Sequence, residues 1–177
     1  MLAFAQGDAG AFDRLYARHK GTVFRFVSRS APSRADAEEI FQDVWMKAIE
    51  ARKRYEPRAK FTTWLYAIAH NRLVDGWRKK GLTLVPLDDG DEGGRPTVDP
   101  ADDPANEPFA QVSNRQAMAR FVQAFEKLPP AQREAFVMKE EADMSIAEIA
   151  AATGSDEEAV KSRVRYATAK LREALDG

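Results

Sequence analysis

The feature that most constrains the fold of this chain is an acidic stretch, rich in proline and glycine, near its middle. Residues 81–112 carry eight acidic side chains, one basic side chain and five prolines. Such a segment has few apolar residues to bury, and its like charges repel one another. Because a structureless stretch of this length is unusual inside one compact domain, the sequence predicts two domains, residues 1–80 and 113–177, joined by a flexible acidic linker at 81–112.

Apolar residues on both sides of this linker recur at helical spacing. The first region is predicted to form three helices, at about 9–29, 34–49 and 62–80, with a basic loop at 52–60. The last region is predicted to form four helices. The first of these has its stripe at Phe121, Val122, Phe125 and Leu128, and the last has Val160, Val164, Ala167, Leu171 and Leu175 facing inward. No stretch of useful length alternates apolar and polar residues as a β-strand does, so the predicted fold class is all-α.

The last region contains the pattern of a helix-turn-helix motif. Ser145 and Glu148 form a capping box that opens a short helix, and Gly154 ends it where a side chain would crowd the turn. A second capping box, starting at Ser155, is predicted to open the longer helix. If its apolar stripe faces inward, Lys161 and its neighbours lie on the opposite face, which would enter a DNA major groove. A plain helical hairpin with a solvated charged face is the alternative.

The first region is basic, with 16 basic and 9 acidic side chains in residues 1–80. This excess favours a polyanionic partner, although a merely solvated surface is the alternative. Within it, residues 36–45 form an acidic helix that could dock on a basic protein surface. Residues 61–71 mix aromatic and polar side chains between basic flanks, as proteins do when they hold unstacked bases. Core packing is the alternative for these aromatics, and is favoured for Trp64.

Several functional classes are disfavoured. The chain has no cysteine, which excludes disulfides and thiolate metal sites. His70 has no neighbouring ligand set for a metal, and no cofactor is predicted. No catalytic nucleophile with its base and no glycine-rich phosphate loop is legible, so an enzyme is not expected. No apolar run approaches the ~18 residues of a membrane span, and the first residues lack the pattern of a signal peptide, so we expect a cytoplasmic protein without membrane insertion.

Five segments occur together that resemble a bacterial sigma factor of the extracytoplasmic function (ECF) family, in family order and spacing. The resemblance covers nearly the whole chain apart from the linker. The segments are Gly7-Asp8-Ala9-Gly10-Ala11-Phe12 with Leu15-Tyr16, residues 36–45, residues 61–71, Leu128-Pro129-Pro130-Ala131-Gln132-Arg133-Glu134, and Glu148-Ile149-Ala150 with Val160-Lys161-Ser162-Arg163.

The resemblance implies a subunit that binds core RNA polymerase and directs promoter-specific initiation of transcription. Residues 1–80 correspond to region 2 and residues 113–177 to region 4. The implied partners are the β′ clamp helices and β flap of the polymerase, promoter DNA and an anti-sigma factor. Glu39, Gln42 and Asp43 match the core-binding surface. The implied contacts to the −10 element are Arg54, Arg58, Lys60, Asn71, Asp75 and Arg78, and those to the −35 element are Lys161, Ser162, Arg163 and Arg165.

The resemblance also implies finer roles. The loop at 54–60 is similar to the family loop that captures a flipped base. Ala67 and Ile68 stand where primary sigma factors carry a bulky wedge pair, which fits stringent promoters. Family members often have Gly-Thr where this chain has Glu158-Ala159, and the acids at 156–158 favour the helix dipole but repel phosphate. The alternatives are a sigma-like protein that titrates an anti-sigma factor without binding DNA, and a helix-turn-helix repressor, which would not need the acidic patch.

Overall fold

A computed structural model describes residues 1–81 and 109–176, with the side chains of 115–176 in the second segment. Eight α-helices and no strand occur in these two segments, which confirms the predicted all-α class. The predicted linker lies mostly outside the described residues. The helices are α1 Leu2–Ala5, α2 Ala9–Ser30, α3 Arg34–Glu50, α4 Phe61–Lys79, α5 Phe109–Lys127, α6 Pro130–Glu140, α7 Ile146–Thr153 and α8 Glu157–Asp176.

Two features of the first segment go beyond the three predicted helices. The short helix α1 precedes them, and a 3-10 turn, Ala51–Arg54, forms the first part of the predicted basic loop. None of the helices in the described part of the chain is long and apolar enough to cross a membrane.

Local side-chain caps determine where several helices begin. The Asp8 carboxylate accepts a hydrogen bond from the Ala11 N–H at 3.1 Å, and the Ser33 hydroxyl accepts one from the Asp36 N–H at 3.2 Å. Ser145 forms the predicted capping box, because its hydroxyl accepts from the Glu148 N–H at 3.2 Å while its own N–H donates to the Glu148 carboxylate at 2.8 Å. Each of these bonds satisfies a backbone group that the first turn leaves unpaired.

The turn of the helix-turn-helix motif corrects two expectations. The second capping box is wrong, because Asp156 caps α8 by accepting from the Ala159 N–H at 2.7 Å. The Ser155 hydroxyl instead accepts a hydrogen bond from Arg163 at 2.8 Å. Gly154 does end α7, but a Cβ there would meet no atom within 4 Å. Its φ of 62° is the actual requirement, because this left-handed conformation penalises any residue with a Cβ.

The core of the first half lies between α2, α3 and α4. Its largest fully buried side chains include Val23, Phe26, Val27, Val44, Leu65, Leu73 and Trp77. Trp77 also donates from its indole nitrogen to the Ser30 carbonyl at 3.0 Å, which joins α4 to the end of α2. A Cβ on Gly76 would lie 3.4 Å from the Ile40 side chain, which is van der Waals contact, so α3 and α4 approach closely at this position.

The core of the second half lies between α5, α6, α7 and α8. Phe125, Leu128, Val137, Met138, Ile149, Val160 and Leu171 are buried there. Val122 and Leu175 are 45% and 46% exposed, so their predicted places in the apolar stripes are wrong. Val122 follows Phe121 directly, so it is rotated about 100° away from that stripe. Leu175 lies in the last turn of α8, past the buried Leu171.

The two halves pack against each other, with α4 on α7 and α2 on α6. Their buried apolar side chains belong to one continuous cluster. The helices on either side of the predicted linker are therefore in direct contact in this structure.

Candidate nucleic-acid and protein interface

One face of α3 is acidic and exposed. Glu39, Gln42 and Asp43 are all exposed on it, as their helical spacing predicts, while Ile40 and Val44 are buried on the opposite side. Sequence reasoning missed Met46, which is 55% exposed one turn after Gln42. The signal was present in its spacing, because residues four apart share a helix face. The α3 face, defined as Glu39, Gln42, Asp43 and Met46, therefore combines an apolar side chain with two carboxylates.

A cleft of about 270 Å³ opens between the end of α3, the 3-10 turn and α4. It brings together two predicted −10 residues, Arg54 and Asn71, beside Trp64. Trp64 is half-buried, and its ring packs edge-on against Tyr55 at 4.9 Å. The remaining lining residues are Lys47, Glu50, Ala51, Ile68 and Arg72. A cleft lined by an aromatic ring, an amide and a guanidinium suits a planar, polar ligand such as a nucleobase.

The other predicted −10 residues on α4 extend from this cleft toward the end of the helix. Asn71, Asp75 and Arg78 follow one another at i, i+4 and i+7 and so share a face. The Asp75 carboxylate lies 3.2 Å from the Arg72 guanidinium, and Arg78 is exposed in the last turn. The structure therefore brings Asn71, Asp75 and Arg78 together as one polar face.

The other two predicted −10 residues of the loop, Arg58 and Lys60, are engaged outside the cleft. The Arg58 guanidinium contacts the Glu56 carboxylate at 2.5 Å on the loop itself. Lys60 reaches the other half of the molecule, where its ammonium lies 2.7 Å from the Glu148 carboxylate of α7. The hydrogen bond from Lys60 is the largest cause that lowers the pKa of Glu148 to about 2, followed by the Ser145 N–H. The same ion pair raises the pKa of Lys60.

The exposed face of α8 carries most of the predicted −35 residues. Lys161 and Arg165 are exposed and Ser162 is half-buried, whereas Val160 and Ala167 are fully buried beneath them. Lys161 contacts Glu158 at 2.6 Å, which raises the pKa of the lysine.

Two further residues belong to this part of α8: Arg163, a predicted −35 residue, and Tyr166, which was not noticed in the sequence. The half-buried Arg163 donates to Ser155 in the turn, so its guanidinium braces the start of α8. Tyr166 is 45% exposed beside Arg165, whose guanidinium carbon lies 5.2 Å from the ring centre. Its position four residues after Ser162 was the available signal. The α8 face, defined as Lys161, Ser162, Arg165 and Tyr166, thus offers several hydrogen-bond donors and one exposed ring.

Within residues 1–81 and 109–176, no three histidine, aspartate or glutamate side chains come together as a metal site. The surfaces described above are an acidic face, an aromatic cleft with basic residues and a polar helix face. Surfaces of this chemistry suit contacts with other proteins and with nucleic acids.

Comparison with known proteins supports this interpretation. The model of the sigma-70 region 2 family matches residues 15–83, and that of the sigma-70 region 4 family matches residues 118–171. The chain is 31% identical to the RNA polymerase sigma factor CarQ of Myxococcus xanthus, over 99% of this chain and 95% of CarQ. It is also 31% identical to the ECF RNA polymerase sigma factor RpoE of Cereibacter sphaeroides, over 95% of this chain and 88% of that protein.

Solved structures give the same result. The structure of CnrH in complex with the cytosolic domain of CnrY matches with a TM-score of 0.66 and 26% identity, over 97% of this chain and 92% of CnrH. The sigma factor RpoE of Bartonella quintana, solved with the anti-sigma factor NepR, has the same fold, with a TM-score of 0.69, 22% identity and coverage of 94% and 97%. The chain therefore belongs to the extracytoplasmic function family of RNA polymerase sigma factors.

Proposed function

We propose that this chain binds core RNA polymerase through the α3 face and directs initiation by reading a −10 element with α4 and a −35 element with α8. The observation that carries the proposal is that the α3 face and the aromatic cleft lie on one three-helix platform. A single rigid body can then dock on the polymerase and hold a DNA strand beside it. Residues 1–80 would act as region 2, residues 113–177 as region 4 and residues 81–112 as the linker.

The polymerase contact is argued from the chemistry of the α3 face. Glu39 and Asp43 rim the exposed thioether of Met46 with negative charge. An apolar centre with an acidic rim fits a partner helix that is basic around an apolar residue, because complementary charge orients the encounter while apolar burial stabilises it. We assign this partner as the β′ clamp helices, and expect the β flap to contact the second half.

The −10 contact is argued from the cleft. A base taken out of the DNA stack costs a few kcal/mol, and stacking on an aromatic side chain returns about 1–3 kcal/mol. Trp64 supplies that surface, while Asn71 and Arg54 offer hydrogen bonds to the edge of the base or to its phosphate. Arg78 would contact the backbone beyond the cleft.

The −35 contact is argued from the α8 face. Arg165 and Lys161 are placed to donate to guanine O6 and N7, the commonest specific contact in the major groove. Glu158 either releases Lys161 when DNA arrives or accepts from a cytosine amino group itself, so the acidic start of α8 is compatible with sequence reading.

Control by an anti-sigma factor is part of the proposal. CnrH, which matches almost the full length of this chain, was solved in complex with the cytosolic domain of CnrY. A protein that covers the α3 face or holds the two halves together would prevent this chain from binding polymerase. Because both core polymerase and promoter DNA are in the cytoplasm, we place this chain there too.

Run-off transcription is the direct test. Purified core polymerase is incubated with fragments of the source genome, with and without the chain. We expect new discrete start sites only when the chain is present, and their upstream sequences would define the two elements. If neither transcripts nor binding to core polymerase are observed, the proposal is overturned in favour of a sigma-like protein that titrates an anti-sigma factor.

A further inference from the structure

The cleft beside α4 takes part of its wall from a short element, the 3-10 turn. Ala51 and Arg54 of this turn line the cleft, and the Arg54 side chain is exposed. A turn of four residues with i to i+3 hydrogen bonds is weak on its own, and Arg52, Lys53 and Arg54 place three like charges on it in succession. Such a turn holds a guanidinium in a fixed place only if other parts of the molecule support it.

The side chain of Arg52 provides this support from within the turn. Its guanidinium donates a hydrogen bond to the Ile49 carbonyl near the end of α3, at 3.0 Å. The guanidinium carbon also lies 5.6 Å from the centre of the Phe4 ring on α1, where the face of the ring attracts the cation. Because these two contacts come from different helices, they fix the Arg52 side chain and the backbone that carries it.

Aromatic packing in turn fixes Phe4. The short helix α1 packs on both α2 and the 3-10 turn, and the half-buried Phe4 ring lies 5.0 Å from the Phe12 ring of α2. Phe12 meets the buried Trp45 of α3 edge-on at 6.0 Å. A row of contacts therefore runs from Trp45 through Phe4 to Arg52, which lies two residues before the arginine that lines the cleft.

We infer that Phe4 and Arg52 are positioning residues for the −10 strand, and that α1 holds the 3-10 turn where Arg54 can reach a base in the cleft. Neither positioning residue is among the described residues that line the cleft, so each acts through Arg54 and not on the DNA itself. This role in DNA binding rests on the proposed function, whereas the support of the turn by Phe4 does not.

The first test uses the free chain and needs neither polymerase nor DNA. Phe4→Leu keeps an apolar side chain and removes the ring beside Arg52. Phe24→Leu is the matched control, because it makes the same change in a ring that packs on Phe41 at 5.3 Å. We expect the amides of Ala51–Arg54 to exchange hydrogen at least about 5-fold faster in Phe4→Leu than in the control, while exchange in α4 is unchanged in both.

The second test uses the chain bound to core polymerase. The probe is a single-stranded oligonucleotide that spans the −10 element on the non-template strand of a promoter found by run-off transcription. Phe4→Leu should lower the affinity for this strand by roughly 3–10-fold, whereas Phe24→Leu should leave it unchanged. Phe4→Tyr keeps a ring beside Arg52 and should retain the parental affinity. Binding to core polymerase should be the same in all these variants, because none of them alters the α3 face.

A double-mutant cycle separates positioning from a general structural role. If Phe4 acts through Arg54, Phe4→Leu should lower the affinity by less than about 2-fold in an Arg54→Ala background. The reason is that the guanidinium that Phe4→Leu would misplace is already absent there. A merely structural role would instead lower the affinity by the same factor in both backgrounds.

Three results would overturn the inference. One is hydrogen exchange in the turn that is equal in Phe4→Leu and Phe24→Leu. Another is an equal loss of DNA affinity with and without Arg54. The third is a loss of core binding as large as the loss of DNA binding, which would place the effect on α3. If run-off transcription finds no promoter, the proposed function fails and the role in DNA binding fails with it, while hydrogen exchange still decides whether α1 supports the turn.

Discussion

The two halves of the molecule are built differently. The first half is suited to hold binding surfaces in fixed positions, and the second half is suited to contact DNA with one helix face. In the first half, the Trp45 ring is packed edge-on by Tyr16 at 4.9 Å and by Phe12 at 6.0 Å. The second half is packed mainly by aliphatic residues and alanines, with Phe125 as its buried ring. Large rings bury much area with few rotatable bonds, so the first half can hold the α3 face and the cleft in fixed positions.

The second half instead concentrates its candidate function in one face. The helix α8 buries a narrow stripe, Val160, Ala167 and Leu171, and leaves the α8 face exposed. On α4, by contrast, seven buried residues cover about half of the helix surface. We therefore expect substitutions on the first half to abolish function, and substitutions on the α8 face to weaken it in steps.

The largest effect is expected from reversing charge on the α3 face. Glu39→Lys combined with Asp43→Lys should lower affinity for core polymerase by at least about 100-fold, because it places two cations opposite a basic partner. Both residues are exposed, so the helix content should be unchanged. Binding of labelled protein to core polymerase is the measurement.

The matched control is Asp13→Lys with Glu140→Lys, which changes the net charge equally at exposed sites on other helices. If the control and the test variant lose the same affinity, net charge rather than the α3 face governs docking. The first half would then not dock on the polymerase through its α3 face, and the contrast drawn between the two halves would fail.

A smaller effect is expected from the α8 face. Lys161→Ala with Arg165→Ala should reduce initiation from a promoter that depends on its −35 element by roughly 10–100-fold, since one good side-chain contact to a base provides about 1–3 kcal/mol of discrimination. Core binding should be unaffected. Run-off transcription on templates with an intact and a scrambled −35 element separates the two effects, and equal loss on both templates would remove α8 as the reader.

How far the sequence predicts this molecule depends on how local each signal is. Caps at Asp8, Ser33 and Ser145 involve residues three positions apart, and they were predictable. The cap of α8 was misassigned because Ser155 and Asp156 are adjacent and both suit the position. The exposure of Glu39, Gln42 and Asp43 followed from the helical period, whereas Met46 was missed. The site residues themselves remain predictions, supported by their placement.

What the sequence could not indicate is the pairing across the two halves. Lys60 in a loop and Glu148 at the start of α7 carry no shared pattern, and each has an ordinary local role, as a basic loop residue or a capping-box glutamate. Their contact depends on the packing of α4 against α7, which is a property of the whole fold. The burial of Glu134 under His70 is of the same kind.

The turn that presents α8 allows a smaller but cleaner comparison. Gly154→Ala should lower the free energy of unfolding by about 1 kcal/mol, because an L-residue is strained in the left-handed region. Gly21→Ala is the matched control, as it lies inside α2 with only the flexible Arg25 side chain nearby, at 3.6 Å. In a helix interior the same change should raise stability by about 0.5–1 kcal/mol. Urea unfolding measures the free energy of unfolding of both variants. If both substitutions changed it in the same direction, the backbone strain assigned to Gly154 would be contradicted.

The smallest effect concerns acid, and it tests the contact between the halves through stability. Glu148 has a pKa lowered from 4.5 to about 2, chiefly by the hydrogen bond from Lys60. A carboxyl whose pKa is lower in the folded state contributes stability that is fully present above its unfolded pKa and is lost as the pH falls through the folded one.

The Glu148 contribution should therefore be complete above about pH 4.5 and decline between that value and about pH 2. Glu148→Gln keeps the shape of the side chain and removes this titration, so the variant should be less stable than the parent at pH 6 and approach it at pH 3. Lys60→Met tests the cause, because it leaves the capping box in place. If Lys60→Met reproduces most of the pH-dependent difference in stability, the ion pair between the halves causes it. If Lys60→Met has no effect, the capping box alone lowers the pKa of Glu148, and this contact does not stabilise the packing of the halves.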